Sequence, residues 1–215
     1  MGAEFVCKME DVLDLYAEPP DPRRPRVCVD ELPYQLVGEV KPPQPCAPGQ
    51  PARADYEYER KGTANLFVSY CPDEGRRQVE VTARRTGEDS AHFIKALVDE
   101  HYPQADKLRL VTDNLNTHKP AVFYQAFPPE EARRLVSKLE WHYTPEHGSW
   151  LNQVEIELSV LSRQCLERRI PDTDTLRREV RAWQAERNAR GATIDWRFST
   201  KDARTKLKRL YPNLS

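Results

Sequence analysis

The stretch Leu108-Arg109-Leu110-Val111-Thr112-Asp113 constrains this chain more than any other. Leu108 to Val111 reads as a short buried strand, and it runs into a polar turn, Asn114-Leu115-Asn116-Thr117-His118. A buried strand feeding a polar loop is what an α/β sheet presents at the carboxyl end of a strand, where ligands tend to bind. Asp113 sits at that edge. Two other acids are candidates to join it: Asp30, at the end of Arg26-Val27-Cys28-Val29, and Glu155, on a helix expected to begin near Ser149.

A chain of 215 residues can bury one good core, or one core plus an appendage. With 39% hydrophobic and 31% charged residues it belongs with globular chains and not with disordered ones. No apolar run approaches the roughly 18 residues that a membrane helix needs. Glu4, Lys8, Glu10 and Asp11 exclude a secretory signal at the start of the chain. Five scattered cysteines without a Cys-x-x-Cys pair point to reduced thiols in a cytoplasmic protein, not to a disulfide framework or a zinc site.

The net charge of −1 conceals an asymmetry. Leu161 to Ser215 carries 14 Lys or Arg against 7 Asp or Glu, and the rest of the chain carries 19 against 27. A basic end beside an acidic body suits a polyanion partner and a cation site; two solvated basic helix faces would give the same count.

Taken in order, Met1 to Tyr16 has helical spacing and stops at Pro19-Pro20. Arg26 to Leu36 reads as a strand, and Lys41 to Pro51 as a proline-rich loop. Asn65–Cys71 and Gln78–Arg84 make an antiparallel hairpin around the turn Pro72-Asp73-Glu74-Gly75. A helix follows over Asp89–Tyr102, then the Leu108–Val111 strand, helices over Lys119–Phe127 and Pro129–Leu139, and a strand over Glu140–Tyr143. Ser149 is placed as the cap of a long helix to about Arg168, and Asp172 or Thr173 as the cap of another to Asn188; a basic helix covers Thr200–Leu210. This order predicts an α/β fold: an RNase H-like mixed five-stranded sheet with helices on both faces, plus C-terminal helices. The expected divisions are an N-terminal helix and linker over 1–22, a catalytic core over 23–170, and a basic helical extension over 171–215.

Three carboxylates gathered without a cation repel one another and raise at least one pKa. Two Mg²⁺ or Mn²⁺ ions remove that cost and create a phosphoryl-transfer site, and hard oxygen ligands suit those metals. Spacing alone does not choose between Glu155 and Glu157. At about 100° per residue, both flank the apolar stripe of Val154, Leu158, Leu161 and Cys165.

Two blocks are more specific: Asp113-Asn114-Leu115-Asn116-Thr117-His118-Lys119-Pro120, and the run from Tyr143-Thr144-Pro145-Glu146-His147-Gly148 through Ser149-Trp150-Leu151-Asn152-Gln153-Val154-Glu155. With Val29-Asp30-Glu31 upstream, they closely resemble the signatures of bacterial insertion-sequence transposases, in the mariner-related branch of the DDE superfamily. The resemblance covers nearly the whole chain. It implies that Asp30, Asp113 and Glu155 are the catalytic acids and ligands of two Mg²⁺ or Mn²⁺ ions. It implies cleavage at the ends of a mobile element and joining of the 3′-ends to a TA target, by a homodimer acting on two ends, in a bacterial cytoplasm at the nucleoid. Glu157 would then pair with an arginine or touch DNA.

Asp113 and Glu155 are 42 positions apart, longer than is usual in the broader mariner group, and the excess falls in Phe127 to Leu139. Relatives carry an N-terminal helix-turn-helix module that this chain is expected to lack. A non-catalytic DNA-binding remnant and a structure-specific RNase H-like nuclease are the competing readings.

Other residues have a DNA-contacting role under the resemblance and a plain structural alternative. His118 either contacts a phosphate or metal-bound water, or caps the next helix. His142 and His147 either face the site or, for His147, shape the loop before Ser149. Asn114 and Asn116 either bond the scissile strand or populate a turn. Trp150 either stacks on a flipped base or packs into the core. Asn152 falls in the second block and joins the DNA contacts. Arg163, Arg168, Arg169 and Lys206 are candidate phosphate contacts, or members of a solvated face.

Overall fold

The computed structural model describes residues 2–41, 46–50, 56–115 and 118–212. Its centre is a five-stranded sheet in the order β3-β2-β1-β4-β5. The strands are β1 (Arg26–Glu39), β2 (Tyr58–Cys71), β3 (Arg76–Thr82), β4 (Leu108–Thr112) and β5 (Leu139–Tyr143). β1 to β3 form an antiparallel meander, whereas β4 and β5 run parallel to β1. That mixed sheet is the expected RNase H-like layout. β4 lies between β1 and β5 and buries all five of its residues, as an apolar run in a central strand should.

Strand alternation sends side chains to two cores. Cys28, Leu66, Val68 and Val111 face one side, where α1 (Ala3–Ala17), α5 (Val154–Leu161) and α6 (Thr173–Ala189) bring Met9, Leu13, Val154, Leu158, Leu176 and Val180. Val27, Val29, Phe67 and Leu110 face the other side, against Phe93 and Ile94 of α2 (Gly87–Ala96), Phe123 of α3 (Ala121–Ala126) and Leu135 of α4 (Pro129–Lys138). A short α7 (Thr200–Lys206), capped by Ser199, closes against α1 through Arg204 and Glu10. α4 occupies the Phe127–Leu139 excess and lies on the surface, carrying a Lys95–Glu131–Arg134–Asp99 ion network.

Several boundaries differ from the sequence reading. β1 and β2 are longer than expected, reaching Glu39 and back to Tyr58, because the outer part of β2, residues 58–63, is exposed throughout and carries no apolar alternation that would reveal it, yet pairs with the end of β1. The Asp89–Tyr102 helix begins at Gly87 under a Thr86 capping box and widens into a π-turn over Leu97–His101. Ser149 caps no long helix: Ser149–Leu151 is a single 3₁₀ turn, and α5 starts at Val154 before ending in a π-turn over Ser162–Leu166. Asp172 does cap α6, accepting from the Thr175 amide. Part of the proline-rich loop, residues 42–45 and 51, lies outside the described residues.

Candidate active site

Strand register brings the first two acids together. β1 and β4 pair in parallel with Cys28 opposite Val111. Two residues further along, Asp30 on β1 shares the face of Cys28, and Asp113, one residue past the end of β4, lies at the same end of the neighbouring strand. α5 packs on that face. Its entry is pinned where the buried Asn152 donates from Nδ2 to the Val29 carbonyl at 3.0 Å, one residue before Asp30. Glu155 follows in the first turn of α5.

The electrostatics record this convergence. Burial pushes the Asp30 carboxyl up to about 7; the Glu31 amide opposes the shift, and the charges of Glu155, Asp113 and Glu31 add to it. A carboxyl perturbed by its like-charged neighbours marks a place where a cation would be welcome. The three groups are not drawn tight: among the described residues, no three His, Cys, Asp or Glu side chains are close enough to hold an ion. All three offer hard oxygen donors, the set that Mg²⁺ or Mn²⁺ takes. Asp113 also opens onto a cavity of about 730 Å³, with Lys8, Asn114, Thr144, His147 and Ser149 on its walls.

Glu31 points the other way, with Val29, and its side chain is 1% exposed. There it meets His118, whose Nε2 lies 2.8 Å from Glu31 Oε2. The contact is an ion pair rather than an aligned hydrogen bond, since neither Glu31 oxygen has a hydrogen-bond partner among the described residues. His118 Nδ1 lies 2.6 Å from Asp113 Oδ1 and 2.8 Å from the Thr112 hydroxyl. Burial alone would lower the imidazole pKa, but Asp113 and Glu31 outweigh it and hold it at about 9. The imidazole is thus a buried cation between two carboxylates.

Other expected contacts are placed as follows. His118 and Asn152 are each 1% exposed and committed inside the fold, so neither presents its side chain to a phosphate. Glu157 pairs with arginine, as one of its two expected roles had it, but inside the fold and not at its flank: it is buried between Arg77 and Arg187. Arg169 pairs with Glu39 and donates to the Glu57 and Tyr56 carbonyls, bracing the β1–β2 arm, and Arg168 pairs with Glu179. His142 lies between Asp11 and Glu140. Asn114, His147 and Arg163 are exposed. Trp150 is 43% exposed and packs edge-to-face on Phe198, over which Lys206 sits, so it is not a core residue. Asn116 lies outside the described residues. The sequence reading missed Glu31 as a partner of the site, although alternation along β1 turns it inward opposite Asp30.

The sequence model of the DDE superfamily endonucleases matches residues 25–177, a span that holds all three acids. The chain belongs to this family. Among solved structures, this DDE endonuclease is similar to the Mos1 mariner transposase in its paired-end complex with manganese, with a TM-score of 0.56 at 17% identity. That match covers 89% of this chain and 59% of the other. The Mos1 strand-transfer complex gives 0.56 at 17% identity over 87% and 56%, and the paired-end complex with magnesium 0.51 at 14% over 91% and 65%. At these identities the likeness concerns the fold. The DDE chain spans about three-fifths of the length of these transposase chains. No curated protein matches it.

Proposed function

We propose that this DDE endonuclease is the catalytic part of a DNA transposase, cutting at element ends and joining the freed 3′-ends to a TA target. The observation that supports this best is the parallel pairing of β1 and β4, which puts Asp30 and, one residue past β4, Asp113 at the same end of neighbouring strands, with Glu155 in the first turn of the helix packed against β1. The neighbours of like fold are mariner transposase complexes named for paired ends, strand transfer, manganese and magnesium. DNA, a second copy of the chain to hold a second end, and a separate helix-turn-helix module for end recognition are the partners that this reading brings with it.

Asp30, Asp113 and Glu155 would hold two Mg²⁺ or Mn²⁺ ions. Bound there, the metals supply an activated water or 3′-hydroxyl and stabilise the leaving oxygen. The protein's own part is to hold three like charges around one space. Asn152 fixes the start of α5 against β1 and so sets Glu155 beside Asp30. His118 fixes one oxygen of Asp113. The cavity beside Asp113, lined by Lys8, Asn114 and His147, gives a nucleic-acid strand access to that acid.

The test is to incubate the chain with Mn²⁺, pre-cut DNA carrying the end of its element, and a plasmid rich in TA. Joined product is the expected outcome, and Asp113→Asn abolishes it. Nicking without joining would assign a nuclease. Binding without chemistry would assign a remnant, and activity surviving Asp113→Asn would overturn the site.

A further inference from the structure

Two residues, Glu31 and His118, link Asp30 and Asp113 by a second route. Asp30 accepts the Glu31 backbone N–H at its Oδ1, 2.8 Å away. The Glu31 side chain passes to the opposite face, where its Oε2 lies 2.8 Å from His118 Nε2. His118 Nδ1 returns to Asp113 Oδ1 at 2.6 Å. Each nitrogen of the ring therefore faces a carboxylate oxygen. Glu31 and His118 side chains are each 1% exposed, so their contact is shut off from bulk water. Arg85, half exposed, reaches only to 3.7 Å from Glu31 Oε1 and leaves the histidine as its near partner.

We infer that Glu31 and His118 are positioning residues for the metal site, a relay that fixes the Asp113 carboxylate in register with Asp30. The inference rests on the assignment of Asp30, Asp113 and Glu155 as metal ligands. A carboxylate at the end of a strand, followed by a turn, has free rotation about its χ angles unless something holds it. Here the Leu115 amide, 3.2 Å away, and His118 both bind Oδ1. That turns one oxygen toward the protein and orients the other. Glu31 in turn fixes the ring: without it the imidazole would keep only its Nδ1 contacts, to Asp113 and the Thr112 hydroxyl, and could pivot about that atom. Because Glu31 is the chain neighbour of Asp30, any shift of the relay is felt at both acids. Outer partners of metal-bound carboxylates commonly act in this way, and losing one weakens metal binding by about 10–100-fold.

A merely structural salt bridge would look the same in a static picture but would behave differently. Two substitutions of His118 separate the roles of its nitrogens. His118→Asn can keep a donor near the Nδ1 position and so hold Asp113, while losing Glu31. His118→Gln can keep one near Nε2 for Glu31, while losing Asp113. The measurement is Mn²⁺ binding to the whole metal-free chain, with free Mn²⁺ read by electron paramagnetic resonance. It is taken beside circular dichroism and thermal melting, and needs no DNA and no turnover. The expected result is about a tenfold or greater rise in the Mn²⁺ dissociation constant for His118→Gln, with partial rescue in His118→Asn. Glu31→Gln should fall between them, and it carries the test if His118→Gln does not fold. Folded His118→Gln and Glu31→Gln proteins that bind Mn²⁺ as tightly as the parent would overturn the relay. If Asp113→Asn also leaves Mn²⁺ binding unchanged, or the parent binds none, the ligand assignment itself fails and the relay falls with it.

Discussion

Arg77 and Glu157 meet in the interior, Nε 2.9 Å from Oε2, with side chains 0% and 1% exposed. Arg187 closes on the same carboxylate from α6 at 2.9 Å, and the Tyr70 ring lies under the Arg77 guanidinium. Two cations share one buried anion, so β3, α5 and α6 are locked together a single turn from Glu155. Removing the anion strands both charges. Glu157→Gln should therefore cost about 3–5 kcal/mol, whereas Arg187→Met, at a partly exposed position, should cost much less. Urea unfolding of both variants checks this, and equal small losses would refute it.

Asp30 sets stability against function. Its folded-state pKa of about 7 lies above the ordinary 3.8, so its favourable contribution is complete below 3.8 and is lost as pH rises through about 7. Above pH 7 the metal-free protein carries the full penalty of an ionised acid among like charges. Asp30→Asn should raise the melting temperature of the metal-free protein there and remove the stabilisation that Mn²⁺ gives the parent. A lower melting temperature in the variant would count against a crowded acidic site.

The docking of α1 should depend on pH through His142. Burial opposes charge on the ring, but Asp11 and Glu140 together raise its pKa above 6.5. The stabilisation is thus fully present below 6.5 and disappears as pH climbs through the raised value. Denaturant titrations across that range should show the parent losing stability, and Asp11→Asn should flatten the slope. An unchanged slope in Asp11→Asn would show that this pair does not hold α1.

Trp150 is exposed, next in the chain to the cavity-lining Ser149, and packs edge-to-face on Phe198. If a base of the DNA stacks on it, Trp150→Ala should weaken single-strand binding by about 1–3 kcal/mol. Loss of the ring pair should cost stability no more than about 1.5 kcal/mol. Fluorescence anisotropy with labelled oligonucleotides and a melting curve separate these two effects. Undiminished binding would leave Trp150 as a packing residue only.

The fold was legible where the signal is local. Apolar alternation and Pro72-Asp73-Glu74-Gly75 located the β2–β3 hairpin, with Gly75 in the left-handed turn conformation at φ 60° that the sequence demands. The run ending at Asp113 located the central strand. What the sequence concealed depends on partners far along the chain. Ser149 has the look of a cap, but Asn152 is drawn to the Val29 carbonyl, 123 positions away, and delays the helix. Glu155 and Glu157 flank one stripe alike; only the arrival of Arg77 and Arg187 makes the second a core residue. His118 reads as a turn residue until Glu31, from another strand, comes to meet it.

The pairing of Cys28 with Val111 has an evolutionary corollary. Asp30 and Asp113 are held abreast by the ladder of backbone bonds between their strands, so the length of chain that loops out afterwards carries no information about the catalytic geometry. The outward face of α4 can accept a grafted peptide tag while the acids stay put, as long as Ala132 and Leu135 keep its inner face in the core. Counting residues between acidic positions is therefore a poor ruler for finding members of this group, and strand register a good one.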